Sequence, residues 1–467
     1  MYTNLFKLCG WSDEEINANR SRIEFMLEKI NCTDEKSLKH AEEHVSSCFD
    51  LSISAPILRI YLHEFLDIVN VRNEYDTYVT INFPITPTLF LGMLYAQMRT
   101  GKSVYVKSTT QTSIVCLGMI FDKYTRVLEE GERMGQGAGK AHCGQYQAEA
   151  GLLSLGILPK PDLVVGSGWF CDQAAEADHQ MSQIFGFESV YFDGCMDWPW
   201  DVELPRENFE YSAKTVERAM KRVYEVTGLE ITPEDNQQAW AAFYQLSFAF
   251  LNLCGTVGHS DPQVISHADL TPPYLFALVC PHPKRVGETL QAIGAMTEEV
   301  NRRIEQGIGI LPKGAPKVYV GMKTGCDVRM IKVIEEVGLS ITNIFLDGMT
   351  RAEKLPLMFP ENDPFMQATE YMLKRPGLNT PCYQQQYHED MLEEFGCDGS
   401  VLSYLYNCRP WTSPALMNRD NLEKKTGLPI LLLETDYYDS RLYSPQQIKT
   451  RLEAYAEMLK LNKELKA

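Results

Sequence analysis

The chain has 467 residues, 45% of them hydrophobic and 23% charged, which describes a globular protein too long for one ordinary core. Its formal charge of −18, from 44 basic and 62 acidic side chains, argues against a nucleic-acid partner or an anionic membrane surface, since both select for basic surface. A buried pocket with a few placed cations for an acidic substrate stays compatible with that balance.

The opening MYTNLFKLCGWSDEE turns acidic before a sustained apolar stretch forms, so no secretory signal is expected. No run of about 18 apolar residues follows, so no transmembrane helix is expected either. Residues 1–75 read as a helical segment. Ser12 precedes three acidic residues as an N-cap, and the apolar stretch Phe49 to Val69 reads as a buried helix beginning near Pro56.

Residues 76–205 read as a first Rossmann-like domain. Tyr78 to Ile81 is a strand, Thr88 to Arg99 a helix, Ser103 to Lys107 a strand, and a further helix continues from Thr109 to Glu130. The glycines before Lys140 resemble a phosphate loop, but Met134 and Ala141 stand where the template needs a glycine and a hydroxyl. The stretch is read instead as a turn into the helix that carries Cys143. Leu163 to Val165 is then a strand that stops at Gly166-Ser167-Gly168, followed by a helix from Asp172 to Phe185 and a strand from Ser189 to Phe192.

Residues 206–312 read as a helical linker or cover, with helices over Ser212–Thr227, Thr232–Leu253 and Val286–Ile308 and a proline-marked break from Asp261 to Pro283. Residues 313–467 repeat the earlier grammar as a second Rossmann-like domain. Its strands are expected at Lys317–Val320, Ile341–Leu346, Ser400–Tyr406 and Leu428–Leu433. Its helices are expected over Asp327–Val337, from Asp363, over Tyr383–Phe395 and Pro414–Gly427, with a closing helix at Ser444–Lys463. The expected fold is therefore α/β: two doubly wound domains, an N-terminal helical segment and a helical insertion between them.

Thirteen cysteines, an odd number widely scattered, suit reduced cytoplasmic thiols, some on metal, better than a disulfide framework. Cys171 stands where a strand hands over to a helix, the position at which parallel sheets bind ligands and at which a helix dipole favours a thiolate. Cys408 follows the strand ending at Tyr406, in the turn Asn407-Cys408-Arg409-Pro410-Trp411, and so occupies the equivalent place in the second unit. Cys143 lies on the element before the strand that delivers Cys171. Three thiolates around one crevice would make a metal centre with an open fourth position.

Two other readings stand beside that one. A lone cysteine is usually a small buried hydrophobe, and Cys9, Cys32, Cys48, Cys116, Cys254, Cys280, Cys382 and Cys397 are read so. No CxxC pair occurs anywhere in the chain, so spacing alone does not announce a metal site. Cys195, before Trp198-Pro199-Trp200, and Cys326, at a strand-to-helix turn, are intermediate cases.

The sequence resembles the 2-hydroxyacyl-CoA dehydratase and benzoyl-CoA reductase family. The resemblance rests on His142-Cys143-Gly144-Gln145-Tyr146, on Cys171 with Asp193 after it, and on the NCRPW turn. That turn leads to Gly427-Leu428-Pro429, Glu434-Thr435-Asp436 and the closing Arg451-Leu452-Glu453-Ala454-Tyr455 helix.

The resemblance implies paired Rossmann-like domains and a [4Fe–4S] cluster on Cys143, Cys171 and Cys408. It implies a radical dehydration in which one electron enters an acyl-CoA thioester and water is lost. It also implies a homologous second subunit, giving a heterodimer, and a separate ATP-dependent iron–sulfur activator. An aryl-CoA reductase subunit and a homodimeric double-cubane [8Fe–9S] reductase, drawing on Cys195 and Cys326, are the alternatives within the family. A non-catalytic scaffold with buried cysteines is the alternative outside it. The sequence departs from the family at Pro84-Ile85-Thr86-Pro87-Thr88, where members often carry a glutamate.

Overall fold

A computed structural model describes residues 2–82, 87–137, 142–169, 171–194, 205–321, 327–344, 363–373, 381–405 and 407–466. Five helices come first: α1 (Thr3–Leu8), α2 (Asp13–Ala18), α3 (Arg20–Lys29), α4 (Glu35–Cys48) and α5 (Leu51–Glu74). Ser12 caps α2 in a reciprocal box, its hydroxyl accepting the Glu15 N–H while the Glu15 carboxylate accepts the Ser12 N–H. Helix α5 starts earlier than expected and contains Pro56. Asp50 caps it by accepting the Ser52 N–H, and a face including Ile53, Ile57, Leu58 and Phe65 is buried. That burial outweighs the one helical hydrogen bond the proline removes.

The first sheet holds β1 (Thr77–Ile81), β2 (Val104–Lys107), β3 (Leu163–Ser167) and β4 (Glu188–Phe192), all parallel, in the order β2-β1-β3-β4. Its connections are α6 (Pro87–Thr100), α7 (Thr110–Val115), α8 (Tyr124–Arg133), α9 (Gly144–Ser154) and α10 (Asp172–Phe185). The single helix expected from Thr109 to Glu130 is instead α7, a π-helical turn at Cys116–Ile120, and α8. All five residues of that turn are buried, so packing rather than helix propensity sets the local geometry.

A helical layer follows: α11 (Arg206–Thr227), α12 (Pro233–His259), α13 (His267–Val279) and α14 (Val286–Gln306). Helix α13 occupies the stretch read as a proline-marked break. Pro272 and Pro273 lie inside it, and every one of its residues is buried. Helix α12 packs on α6 beside the first sheet and reaches β6 (Ser340–Ile344) of the second. Gly258 permits that approach, because a Cβ there would stand 2.3 Å from the Thr342 carbonyl oxygen.

The second sheet holds β5 (Lys317–Gly321), β6, β7 (Gly399–Leu405) and β8 (Ile430–Thr435), parallel and in the order β6-β5-β7-β8. Its helices are α15 (Arg329–Glu336), α16 (Pro364–Leu373), α17 (Pro381–Glu394), α18 (Arg409–Thr426) and α19 (Pro445–Lys466). The two sheets thus share one strand order, and each reverses direction of growth between its second and third strands in space. Ligands of open parallel sheets bind at that reversal, beyond the carboxyl ends of the strands. No described helix is long and apolar enough to cross a membrane.

One buried ion network braces the N-terminal helices against the first sheet. Glu64 of α5 pairs with Lys107 at the end of β2, and both side chains are fully buried. The Glu64 carboxylate also accepts from Arg285 at 2.6 Å and from the His282 N–H at 3.1 Å. Asp67, one turn on, takes Arg285 at 2.7 Å and Arg22 at 2.6 Å.

Candidate functional site

Three helices begin on cysteines. Cys143 is the N-cap of α9, Cys171 of α10 and Cys408 of α18, each with extended backbone angles before the first helical turn. Cys171 follows β3 and Cys408 follows β7, the equivalent strands of the two sheets at the reversal in strand order. The helix after Cys408 starts at Arg409, not at Pro414 as the proline-rich turn suggested. Pro410 sits in the first turn, where backbone N–H groups lack intrahelical partners, so it costs no hydrogen bond.

The fold brings the three thiols together. Cys143 and Cys408 each feel the charge of Cys171, and Cys408 feels that of Cys143. Cys171 is buried, while Cys143 and Cys408 are partly accessible. Burial pushes the Cys143 and Cys408 thiols far above the ordinary range, and each is raised further by the neighbouring sulfurs and Asp436. The N–H groups of Gln145 and Tyr146 oppose this at Cys143, and that of Trp411 opposes it at Cys408. Three clustered thiols held away from water are therefore costly as bare thiolates, and a cationic metal centre is what would offset that cost.

Close approach of the two halves is built into the residue after Cys143. A Cβ on Gly144 would lie 2.9 Å from the backbone carbon of Tyr438, in the loop that follows β8. That loop carries Asp436, whose carboxylate accepts the N–H groups of Tyr438 at 2.8 Å and Asp439 at 2.9 Å. Burial, with Asp439 beside it, pushes the Asp436 carboxyl up to about 6. Arg441 in the same loop reaches Glu132 at 2.7 Å and so ties this corner to the end of α8.

Trp169, two residues before Cys171, and Trp411, three after Cys408, are both buried. Asp193 directly follows β4 and is exposed; its carboxylate accepts the Gly194 N–H at 2.8 Å. Cys195, Cys326, Phe170, Trp198, Trp200 and residues 83–86 lie outside the described residues. Cys9, Cys32, Cys48, Cys116, Cys254, Cys280 and Cys397 are buried, as their reading as small hydrophobes required.

Among the described residues no three His, Cys, Asp or Glu side chains are close enough to chelate one ion. A cubane takes one thiolate per iron, so its ligands do not converge on a single atom, and three neighbouring thiols fit that demand. The reading of the sequence missed Asp436 as a neighbour of the thiols. It also missed a buried trio formed by Asn82, Glu149 and Asp178. The Asn82 amide donates to Glu149 Oε1 at 2.9 Å and to Asp178 Oδ1 at 2.7 Å. Glu149 belongs to the helix capped by Cys143, and Asp178 to the helix capped by Cys171.

Comparison with known proteins gives this arrangement a family. The alpha subunit of (R)-2-hydroxyisocaproyl-CoA dehydratase from Clostridioides difficile is 21% identical over 338 residues, 69% of this chain and 78% of the relative. A benzoyl-CoA reductase subunit from Thauera aromatica is 30% identical over 180 residues, 37% of this chain and 42% of the relative. The alpha subunit of (R)-2-hydroxyglutaryl-CoA dehydratase from Acidaminococcus fermentans is 21% identical over 314 residues, 66% of this chain and 62% of the relative. Against the last two, the chain spans less than two thirds of the relative's length. Residues 114–459, which include all three cysteine-capped helices, match the family described as 2-hydroxyglutaryl-CoA dehydratase, D-component; the chain belongs to this family of dehydratase enzyme subunits.

Proposed function

We propose that Cys143, Cys171 and Cys408 hold a [4Fe–4S] cluster, and that the chain is one subunit of an ATP-activated enzyme that removes water from a 2-hydroxyacyl-CoA. The observation that carries this reading is the meeting of three helix-capping thiols, from two sheets of one strand order, in a chain of this family. We read the two sheets as Rossmann-like domains facing each other across that meeting point. When bound, such a cluster supplies single electrons at low potential and, with three thiolates from the protein, keeps one iron open.

The chain's own groups have definable roles around it. Each thiolate sits at the positive end of a helix dipole, which favours the anionic sulfur. Buried Trp169 and Trp411 exclude water, and the partial exposure of Cys143 and Cys408 leaves a side by which an acyl thioester could approach. The electron donor is external, a separate ATP-hydrolysing iron–sulfur protein, because the glycine-rich stretch before Lys140 lacks the phosphate-loop residues. A homologous second subunit completes a heterodimer, in line with relatives that are themselves named as subunits. Reduced, clustered thiols suit the cytoplasm.

A second reading has its own support: the stretch 30% identical to a benzoyl-CoA reductase subunit would equally suit an aryl-CoA reductase. Anaerobic purification should yield brown protein with about four irons per chain. Cys171→Ala should lose most of that iron. Colourless protein after cluster reconstitution, or full iron in the variant, counts against both readings. Turnover of 2-hydroxyacyl-CoA against benzoyl-CoA, with partner and activator present, decides between them.

A further inference from the structure

Behind the thiols lies a feature that thiol chemistry alone does not require. Glu149 is six residues beyond Cys143 on α9, and Asp178 seven beyond Cys171 on α10, so their backbones lie about 9 and about 10.5 Å along the helix axis from the capping residue. Both are buried, at 4% and 0% exposure. Asn82 holds them together, and its backbone N–H donates to the Val165 carbonyl at 2.9 Å, which fixes the amide beyond the end of β1. Asp178 Oδ2 has no hydrogen-bond partner among the described residues, while the Thr110 hydroxyl beside Glu149 favours that carboxylate's charge.

The described groups facing this pair carry no compensating charge. Thr110 and Tyr78 stand by Glu149, while Tyr146 of α9 and Tyr191 of β4 face both carboxyls. Gly166 of β3 makes room: a Cβ there would fall 2.5 Å from Asp178 Oδ2. No Lys, Arg or His among the described residues acts on either carboxyl. Two full negative charges served by one amide and one hydroxyl in such a place are not tenable, so the pair retains a proton. Burial raises Glu149 to about 7, and burial with Glu149 beside it raises Asp178 well above the usual carboxylate range. Tyr146 is buried and feels Cys171, Cys143, Asp178 and Glu149, so it lies electrostatically between the two sites.

We propose that Glu149 and Asp178, bridged by Asn82, are a proton store that takes up one proton when the neighbouring cysteine site takes up one electron. The inference rests on the cluster reading above. In the oxidised state the pair holds one proton and one negative charge. A low-potential one-electron donor adds an electron at the cluster; the pair binds one proton from bulk water, and the net charge of the region is unchanged. No bond to iron forms or breaks in this step, and no other oxidant or reductant is needed. The pair keeps the cluster's added charge from being stranded in a dry, acidic protein.

The test is a redox titration of the reconstituted, cluster-bearing protein, followed by electron paramagnetic resonance between about pH 6 and 8. One proton per electron shifts the equilibrium tenfold per pH unit, which is about 59 mV for a one-electron couple. The wild-type potential should fall with pH at a slope approaching that value, and Asp178→Asn and Glu149→Gln should flatten it. A pH-independent wild-type potential, or an unchanged slope in both variants, overturns the proposal.

If neither variant folds, reduced-minus-oxidised infrared spectra of the wild type decide. A protonated-carboxyl carbonyl band gained on reduction supports the proton store, and its absence overturns it. Wild-type protein that carries no iron defeats the cluster reading and the coupling with it. The infrared spectrum of that iron-free chain at neutral pH then shows separately whether the pair holds a proton.

Discussion

Glu64 and Asp67 on α5, and Glu149 and Asp178 behind the thiols, are both pairs of carboxylates withdrawn from water, yet among the described residues only the first pair has cations. Lys107, Arg285 and Arg22 surround Glu64 and Asp67. Burial works to raise the Asp67 carboxyl, but Arg285 and Arg22 prevail and hold it below the usual range. At Glu149 and Asp178 burial meets no such opposition among the described residues, and the Asn82 amide bridges the two. The first arrangement holds the Asp67 charge between two guanidinium groups, which suits a brace between helices. The second changes charge near neutrality, which suits a place beside a redox site. The difference lies in which neighbours the fold supplies, not in the carboxylates themselves.

The largest expected effect comes from breaking the first arrangement. Glu64→Leu takes from buried Lys107 its carboxylate and leaves Arg285 with Asp67 alone, and removing one partner of a buried ion pair costs about 3–5 kcal/mol. Chemical denaturation of the variant should show that loss. Adding Lys107→Met should return part of it, because the unpartnered amine is then gone. A Glu64→Leu protein as stable as wild type would mean that the network contributes nothing.

The contrast between these pairs could not be read from the chain. Asn82 meets partners 67 and 96 residues away, and only the paired sheets bring them together. The one local sign is a glutamate inside the otherwise uncharged Gly144–Ser154 helix. The strand-to-helix handovers at Cys171 and Cys408 were legible, because each apolar run stops shortly before its cysteine. Their convergence was inferable only from the equivalence of the two units.

Prolines misled the reading three times, at Pro56, at Pro272-Pro273 and at Pro410. In the first two cases buried apolar faces outweigh the lost hydrogen bond. In the third the proline sits where no bond was available to lose. Gly144 and Gly258 were equally opaque, since what each makes room for lies in a distant segment.

A smaller effect should follow from crowding the second pair. An alanine at Gly166 would place its Cβ 2.5 Å from Asp178 Oδ2 and 2.9 Å from the Tyr191 ring. Because β3 is an interior strand, its backbone cannot retreat, and overpacking of this kind costs about 1–3 kcal/mol. Thermal unfolding of Gly166→Ala measures it. Truncating the obstacle as well, in Gly166→Ala with Asp178→Ala, should lose less than the two single changes together. Strict additivity would show that the clash lies elsewhere.

The smallest effect is the one that reads the proton directly. A carboxyl whose folded-state value lies above its unfolded one binds more protons folded than unfolded between the two values. Stability therefore falls as pH rises through that window, here from about 4.5 to about 7 for Glu149. Asp436, raised to about 6, and Glu335, raised to about 7, act in the same direction. Burial lowers His63 to about 4 and His267, His282 and His388 to about 3, and these oppose it below the ordinary histidine value. The net slope of the wild type is thus a balance of many groups, and the difference from Asp178→Asn isolates the pair. The folded wild type keeps a proton on Asp178 that the unfolded chain gives up, and Asp178→Asn removes that difference, so the variant should gain on the wild type as pH rises from about 5 to about 7. The gain is bounded by about 1.4 kcal/mol per pH unit for one proton. Denaturation midpoints of the two proteins across that range supply the measurement. A constant difference, or one that shrinks with pH, would place the proton somewhere other than between Glu149 and Asp178.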